Sequence, residues 1–304
     1  MSPGARLGVG VIGAGRVGPV LANALRAAGH AVVGVTSTSE HSQERVEALL
    51  PGVPVLDADE VVRRAEVVLV TVPDDAIGPV VEGLARLGCW QVGQLVIHTS
   101  GVHALDALEP ARVAGAIPLA IHPAMTFTGT SVDVARLQGC PFAVTAPGPV
   151  LPIAQALVVE LGGEPFVVPP ADRAAYHAAL THGANHLVTL VAQAERLLAA
   201  TGIEEPGRLL GPLLTAALDG VLDDGEARLT GPVVRGDVGT VRTHLEALAE
   251  LGIADGEASY RHLAAVTARR AAENGRIPAE VAEEILGLCE PAGAAGLTHE
   301  EDRA

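Results

Sequence analysis

The stretch L-G-V-G-V-I-G-A-G-R-V-G at residues 7–18 decides the fold of the first half of the chain. Its apolar run predicts a buried strand, and the residues that follow predict a helix. The turn between them carries Gly13, Gly15 and Gly18. In this spacing the first glycine allows a tight turn, the second lets backbone approach a pyrophosphate, and the third lets the helix pack on the strand. The stretch therefore predicts a dinucleotide-binding turn, with a tight turn that binds nothing as the alternative.

Short apolar runs recur through the first half and are separated by helical patterns. Within these runs polar and apolar residues do not alternate, which is typical of parallel strands covered on both faces. We therefore expect a doubly wound, Rossmann-type α/β domain over residues 1–168. The predicted strands are 7–13, 31–36, 66–72, 94–99, 116–122, 140–145 and 164–168.

The pattern changes after Pro169-Pro170, where strand-like runs stop and helical periodicity continues. We expect an all-α domain over residues 169–290. The residues after it, 291–304, are small and polar and are expected to be disordered. The predicted helices of this domain are 171–201, 206–223, 237–252, 256–274 and 278–289.

Composition excludes several classes of protein. The 304 residues carry 20 Lys and Arg against 36 Asp and Glu, a net charge of −16, which argues against nucleic-acid binding. No apolar run reaches the roughly 20 residues of a membrane span, and the N-terminus lacks a signal-peptide pattern. A soluble cytoplasmic protein is expected. Cys89, Cys140 and Cys289 show neither metal nor disulfide spacing, so no metal is expected.

The second predicted strand ends in hydroxyl residues, V-T-S-T-S at 35–39. NAD enzymes usually place Asp or Glu here to bind the ribose hydroxyls. Hydroxyls can donate to a 2′-phosphate, so this loop favours NADP over NAD, with Arg16 or Arg45 as the nearest cations. A polar loop without influence on the cofactor is the alternative. The expected cofactor-binding residues are Gly13, Gly15, Arg16, Val17, Gly18, Thr36, Ser37, Thr38, Val72 and Pro73.

Ligands of an open parallel sheet bind at the carboxyl ends of its strands. Val72 and Pro73 are expected there as a wall for the nicotinamide ribose, and Ser100 as a hydrogen-bond donor to substrate. His122 ends the next predicted strand. Because imidazole titrates near pH ~6.5, His122 is a candidate general acid or base. A buried histidine bonded to backbone is the alternative.

The helix predicted at residues 175–190, A-Y-H-A-A-L-T-H-G-A-N-H-L-V-T-L, has one apolar side and one uncharged polar side. The polar residues are His177, Thr181, His182, Asn185 and His186. A solvated face would carry Lys and Glu, so we expect this side to line the cleft between the domains. A polar seam at an interface is the alternative. The His182–His186 spacing could suit zinc, but no acidic general base flanks it.

A later segment, L-T-G-P-V-V-R-G-D at residues 229–237, predicts a loop between helices. Arg235 is the lone cation of this loop. It is a candidate for binding a substrate carboxylate or a cofactor phosphate, with a surface salt bridge as the alternative.

Three motifs together resemble one family: G-V-I-G-A-G-R-V-G, then I-H-P-A-M-T-F at 121–127, then the L-T-G-P-V-V-R-G-D segment. The chain resembles bacterial proteins that join a Rossmann-like domain to the domain of unknown function 2520, over nearly its whole length. The resemblance implies this two-domain fold.

The layout is also similar to ketopantoate reductase, pyrroline-5-carboxylate reductase and the β-hydroxyacid dehydrogenases. This resemblance implies a helical domain like the C-terminal part of 6-phosphogluconate dehydrogenase. Where ketopantoate reductases have a catalytic Lys and two Asn, this chain has His177, Thr181 and Asn185. Ser100 and His122 occupy places similar to the Ser and His-Pro of prephenate dehydrogenases.

These observations favour an NADP-dependent oxidoreductase that transfers hydride between nicotinamide and a small, acidic carbonyl or imine substrate. The expected catalytic residues are Ser100, His122, His177 and Asn185, and the expected substrate-binding residues are His182 and Arg235. A non-catalytic NADP(H)-binding regulatory protein and a scaffold with an empty nucleotide site are the alternatives. Long apolar helices such as 206–223 favour a homodimer.

Overall fold

The structure is a computed structural model that describes residues 7–290. Its residue contacts divide the chain into two compact units between Thr181 and His182. Within the described residues, every strand lies in the first part, here called the α/β unit, and the second part is the helical unit. The tail that the sequence predicts to be disordered, residues 291–304, lies outside the described residues.

Seven strands of the α/β unit form one sheet in the order β2-β1-β3-β4-β5-β6-β7. Strands β1 to β5 are parallel, so the carboxyl ends of β1, β3, β4 and β5 lie side by side. This is the Rossmann-type arrangement that the sequence predicts. The strands are β1 Gly8–Ile12, β2 Ala31–Val35, β3 Val67–Val70, β4 Leu95–His98, β5 Ile117–Pro123, β6 Pro141–Thr145 and β7 Glu164–Val167.

The sheet differs from the expected parallel sheet at its last two strands. β6 pairs antiparallel with β5, with Ala120 opposite Thr145, and β7 then runs parallel to β6. An antiparallel neighbour needs no crossover, so the short helix between β5 and β6 suffices. β7 is also an exposed edge, where Phe166 and Val167 face solvent rather than a second layer.

Helices cover both faces of the sheet. One core cluster joins Val9 and Val11 to α1 and α7, and a second joins Ile12 to α3 and α4. Burial on both faces explains why the strands read as continuous apolar runs. The helices are α1 Gly18–Ala27, α2 Glu40–Leu49, α3 Ala58–Arg64, α4 Asp74–Arg86, α5 Glu109–Val113, α6 Ser131–Arg136, α7 Leu151–Glu160 and α8 Arg173–Leu180.

A π-helical turn, Thr181–Asn185, follows α8 and interrupts the helix predicted at 171–201. In the helical unit, α11, α12 and α13 share an apolar core that includes Val241, Ala268 and Ile285. No described helix combines the length and apolarity that a bilayer span requires. The helices of this unit are α9 His186–Ala200, α10 Pro206–Asp224, α11 Val238–Leu251, α12 Ala254–Glu273 and α13 Ala279–Cys289.

Helix α10 is apolar but is largely uncovered. Of its 19 residues only Leu210 is buried. Large apolar side chains elsewhere along it face outward, with Leu213 64% and Leu222 75% exposed.

Candidate functional site

The glycine turn has the geometry that its sequence predicts. Gly13 has a φ of +104°, and its N–H donates to Oγ1 of Thr36 at 2.8 Å. A Cβ at Gly18 would lie 2.4 Å from Oγ1 of Thr71 and 2.5 Å from the Gly13 carbonyl. Thr71 donates from this same hydroxyl to the Gly13 carbonyl at 2.7 Å. The first and third glycines are therefore required by the turn and by helix packing.

Gly15 faces open space, in contrast to the other two glycines. A Cβ there would meet only the Thr71 carbonyl, at 3.8 Å. Gly15 lines a cavity of about 310 Å³ at the carboxyl ends of β1 and β3, together with Thr36, Val72 and Pro73. Open backbone before a helix N-terminus is the form of a pyrophosphate cradle. The residues present therefore fit a dinucleotide.

The loop after β2 closes the outer end of this cavity. Thr38, His41 and Arg45 line it, and Ser37 Oγ lies 2.5 Å from Ser42 Oγ. Arg45 donates from Nη1 to the Ala14 carbonyl at 3.0 Å, which holds its guanidinium beside the glycine turn. Of the two cations predicted to reach this loop, Arg45 lines the cavity.

Arg16 lies outside the lining of the cavity but close to it. A Cβ at Gly129 would lie 2.6 Å from Nε of Arg45 and 3.2 Å from Cα of Arg16. The Gly129 N–H donates to the buried Asp133 carboxylate at 2.7 Å. The segment after His122 thus packs against the nucleotide turn. The sequence of this segment, I-H-P-A-M-T-F-T-G, did not predict that contact. Predicted residues Val17 and Gly18 lie behind the turn, at the start of α1.

A cluster of ring side chains stands at the carboxyl end of β5. Nδ1 of His122 is hydrogen-bonded to Oη of Tyr176 at 2.9 Å. The ring of His177 lies edge-on to the His122 ring, with centroids 5.8 Å apart. A Cβ at Gly101 would lie 2.4 Å from Cδ2 of His177 and 3.0 Å from Nε2 of His122. We call His122, Tyr176 and His177 the imidazole cluster, and Gly101 forms its floor.

The imidazole of His122 is neutral at physiological pH. Burial lowers its pKa to about 4, and the charges of Arg173 and His177 act in the same direction. A neutral imidazole has one N–H donor and one acceptor nitrogen. One ring nitrogen can therefore hydrogen-bond a hydroxyl while the other exchanges a proton. This half-buried histidine is therefore suited to proton transfer.

The nucleotide cavity and the imidazole cluster are neighbours on the sheet. Asp74 directly follows Pro73 of the cavity, and its charge acts on His122. His103, in the loop after β4, donates from Nε2 to the Asp74 backbone carbonyl at 3.2 Å. The loops after β3, β4 and β5 thus meet at one edge of the α/β unit.

Ser100 lies at this edge but is buried, at 4% exposure. Its Oγ accepts from the backbone N–H groups of Val102 and His103, at 3.3 and 3.2 Å. Its backbone carbonyl accepts from Nη2 of Arg173 at 2.5 Å. Ser100 therefore shapes the loop that carries Gly101, and contact with a substrate stays a prediction.

Three other predicted residues belong to the helical unit. His182 and Asn185 are exposed, and Nδ1 of His182 lies 3.1 Å from Nδ1 of His186. Among the described residues there is no group of three or more His, Cys, Asp or Glu arranged to hold a metal ion. Arg235 is exposed and borders a shallow pocket with Val234 and Arg276. Their roles stay predictions.

Tyr176, Arg173 and Gly101 were missed by the sequence reasoning. Tyr176 precedes the predicted His177, and it is one of only two tyrosines in the chain. Gly101 directly follows the predicted Ser100. Arg173 looks like an ordinary first-turn cation, although its side chain is fully buried. Only the rarity of tyrosine could have drawn attention to one of these residues.

Comparison with known families identifies both halves of the chain. Residues 2–123 match the model of the Rossmann-like domain, and residues 140–267 match the domain of unknown function 2520. No protein with a curated description matches the sequence.

Solved structures share this fold at low identity. A Bacteroides fragilis protein, provisionally described as an NADP oxidoreductase, has a TM-score of 0.72 at 23% identity, covering 86% of this chain and 98% of its own. A Thermotoga maritima protein has a TM-score of 0.66 at 24% identity, and the match covers 88% of this chain and 100% of that protein. An imine reductase from Myxococcus stipitatus in complex with NADP+ has a TM-score of 0.64 at 20% identity, and the match covers 92% of this chain and 99% of the reductase. Residues 2–123 are thus similar to the Rossmann-like domain and residues 140–267 to the domain of unknown function 2520, the two parts that the motifs of the chain resemble.

Proposed function

We propose that the protein is an NADP(H)-dependent oxidoreductase acting on a small carbonyl or imine substrate. The observation that carries the proposal is that the imidazole cluster and the nucleotide cavity lie at the same edge of one sheet, where the loops after β3, β4 and β5 meet. The fold likeness to an imine reductase that binds NADP+ supports the same reaction class. A bound nicotinamide would supply or accept the hydride.

The chain itself has to supply the proton. Its sequence contains no lysine, so the acid must be another residue type. Tyr176 fits this role because its hydroxyl is hydrogen-bonded to His122 at 2.9 Å, and His122 in turn packs against Gly101. With Nδ1–H of His122 donating to Oη, the phenol proton is free to protonate a substrate nitrogen or oxygen. His122 then passes its Nδ1 proton to Oη while its Nε2 takes a proton from solvent, and the His177 ring packs edge-on against the His122 ring.

The choice of NADP follows from the residues around the outer end of the cavity. Among the described residues that line it, Arg45 is a cation and none is Asp or Glu. Hydroxyls of Thr38 and Ser42 add donors for a phosphate. A 2′-phosphate would be attracted here, whereas an NAD site normally offers a carboxylate to the ribose.

An acidic substrate is part of the proposal. The described groups that influence the charge state of His122 include the buried cation Arg173 and only one acid, Asp74. The buried positive charge of Arg173 behind the neutral His122 favours an anion at the cluster. The exposed Arg235 and His182 remain proposed substrate contacts from the helical unit.

A second copy of the chain is the proposed partner of the helical unit. Helix α10 leaves Leu213 and Leu222 largely exposed, and pairing of two copies would remove this apolar surface from water.

The function is tested by adding NADPH to the purified protein with a panel of 2-oxo acids and cyclic imines. Oxidation of NADPH by a panel compound is expected. Tight NADPH binding, seen as a change in its fluorescence, without oxidation by any compound would favour a regulatory binding protein. If NADPH fluorescence does not change at all, the protein does not bind NADPH, and the remaining alternative is a scaffold with an empty nucleotide site.

A further inference from the structure

Arg173 is a buried cation that has no acidic partner among residues 7–290. Its side chain is 0% exposed at the first residue of α8. Nη1 donates to Oγ1 of Thr145 at 3.0 Å and Nη2 donates to the Ser100 carbonyl at 2.5 Å. Nε has no acceptor among the described residues. Both acceptors are neutral, so the hydrogen bonds orient the guanidinium but leave its charge uncompensated.

Burying a cation without a counter-ion is unfavourable, and proteins normally pair such a group. Among the described groups, Tyr176 alone acts on Arg173 as a balancing partner, and burial opposes its charge. Tyr176 follows Arg173 by three residues on α8, so the two side chains share one helix face. A neutral phenol cannot balance the charge, but a phenolate can.

We propose that Arg173 is a positioning residue whose buried charge stabilises the phenolate that Tyr176 becomes when its proton leaves. The inference rests on the proposed function in one respect, which is that Tyr176 is the proton donor. In that step the Oη–H bond breaks and the proton goes to the substrate nitrogen or oxygen. The electron pair stays on Oη, under the influence of the Arg173 charge, until His122 passes its Nδ1 proton to Oη while its Nε2 takes a proton from solvent, so that the ring stays neutral.

Among the described groups, Arg173 is the cation whose charge acts on Tyr176. Tyr176 faces His122 on β5 and Cys140 before β6, and His122 in turn faces His177 on α8, His98 on β4 and Asp74 on α4. Burial lowers the pKa of His98 and of His122 to about 4, so both are neutral. Burial raises the pKa of Tyr176, and Arg173 acts against that rise.

The helical unit contains a matched pair that lacks the cation. Oη of Tyr260 is hydrogen-bonded to Nδ1 of His244 at 2.8 Å, with ring centroids 5.8 Å apart. Tyr176 and His122 are 2.9 Å apart with centroids at 5.7 Å. Burial raises the pKa of Tyr260 too, and the charge acting on it there, that of Cys289, raises it further. Tyr260 is therefore an internal control for the effect of Arg173.

The test measures phenolate formation and needs no substrate. Because the chain has two tyrosines, Tyr260→Phe leaves Tyr176 as the only phenol, and Tyr176→Phe leaves only Tyr260. Ultraviolet absorbance after rapid pH jumps, read before the chain unfolds, gives each pKa. We expect Tyr176 to ionise at lower pH than Tyr260. This comparison uses the intact Arg173 and so does not depend on a foldable Arg173 variant.

Substitution of Arg173 gives the second reading. In the Tyr260→Phe background, Arg173→Met should raise the pKa of Tyr176 by about one or more, as loss of a nearby opposite charge does. Arg173→Lys should keep most of the wild-type value, and Thr145→Val, which removes one acceptor but no charge, should leave it unchanged.

A purely structural role predicts the opposite direction. If Arg173 only ties the loops together, its loss would admit water and lower the pKa of Tyr176 toward its ordinary value. Three results would overturn the proposal. They are a lower pKa of Tyr176 in Arg173→Met, an unchanged pKa in that variant, and ionisation of Tyr176 at or above the pH at which Tyr260 ionises. If the pKa of Tyr176 rises in Arg173→Met as expected but the protein oxidises no NADPH, the effect of Arg173 on Tyr176 is supported and the proposed reaction is contradicted.

Discussion

Oη of Tyr176 lies 2.9 Å from Nδ1 of His122, although 54 residues separate the two in the sequence. The pair joins α8 to the carboxyl end of β5, next to the turn that holds Gly13 and Gly15. It places an acid and its proton source within one hydrogen bond of each other. This arrangement is the geometry expected for general acid catalysis.

Tyr176→Phe should lower turnover of any panel compound that the protein reduces by about 10²-fold or more, because the proton donor is lost. His122→Ala should lower it as well, since the phenol loses its proton source, and His177→Ala by a smaller factor. The affinity for NADPH, measured by fluorescence titration, should stay unchanged because none of these residues lines the nucleotide cavity. Full turnover in all three variants would remove the acid–base assignment.

Arg45→Met should weaken NADPH binding by about tenfold to a hundredfold, the loss typical of a hydrogen bond to a charged group. NADH binding should change much less, and this comparison separates phosphate recognition from the bond that Arg45 makes to the Ala14 carbonyl. Arg86→Met, on the exposed surface of α4, is the matched control. Equal losses for NADPH and NADH would contradict a 2′-phosphate site at Arg45.

The Leu213→Glu, Leu222→Glu double variant should convert a homodimer to a monomer, because two carboxylates would have to be buried in the interface. Sedimentation velocity gives the mass directly. Leu87→Glu is a matched control, since Leu87 on the α/β unit is 64% exposed, as is Leu213. A wild-type protein that sediments as a single chain at all concentrations would end the dimer proposal.

His98 should make stability depend on acid pH. It is fully buried, its Nε2 donates to the Ala104 carbonyl at 2.8 Å, and burial lowers its pKa to about 4. Between pH ~6.5 and ~4 the unfolded chain binds a proton here that the folded chain does not, so stability falls as pH falls. The full effect is about 3 kcal/mol.

The matched variant is His98→Gln, which keeps a donor for the Ala104 carbonyl but does not titrate. Urea unfolding at pH 7 and at pH 4 gives the loss of unfolding free energy for each protein. The loss should be smaller in His98→Gln than in the wild type. Equal losses would mean that His98 is already protonated in the folded protein.

The sequence by itself determined the parts of the structure that depend on neighbouring residues. The glycine spacing at Gly13, Gly15 and Gly18 fixed the nucleotide turn, because each glycine answers a local steric requirement. Continuous apolar runs indicated a sheet covered on both faces, and the change of pattern near residue 169 indicated a helical second half. His122 and His177 could be singled out because they stand at a strand end and on an uncharged helix face.

Tertiary structure alone decided what depends on residues distant in sequence. The reversed direction of β6, the bond from Tyr176 to His122, and the burial of Arg173 beneath Ser100 and Thr145 leave no local pattern. An arginine in the first turn of a helix is normally solvated, and only the packing of α8 on the sheet removes this one from water. Charge burial arises from contacts across the fold, so a linear pattern cannot reveal it.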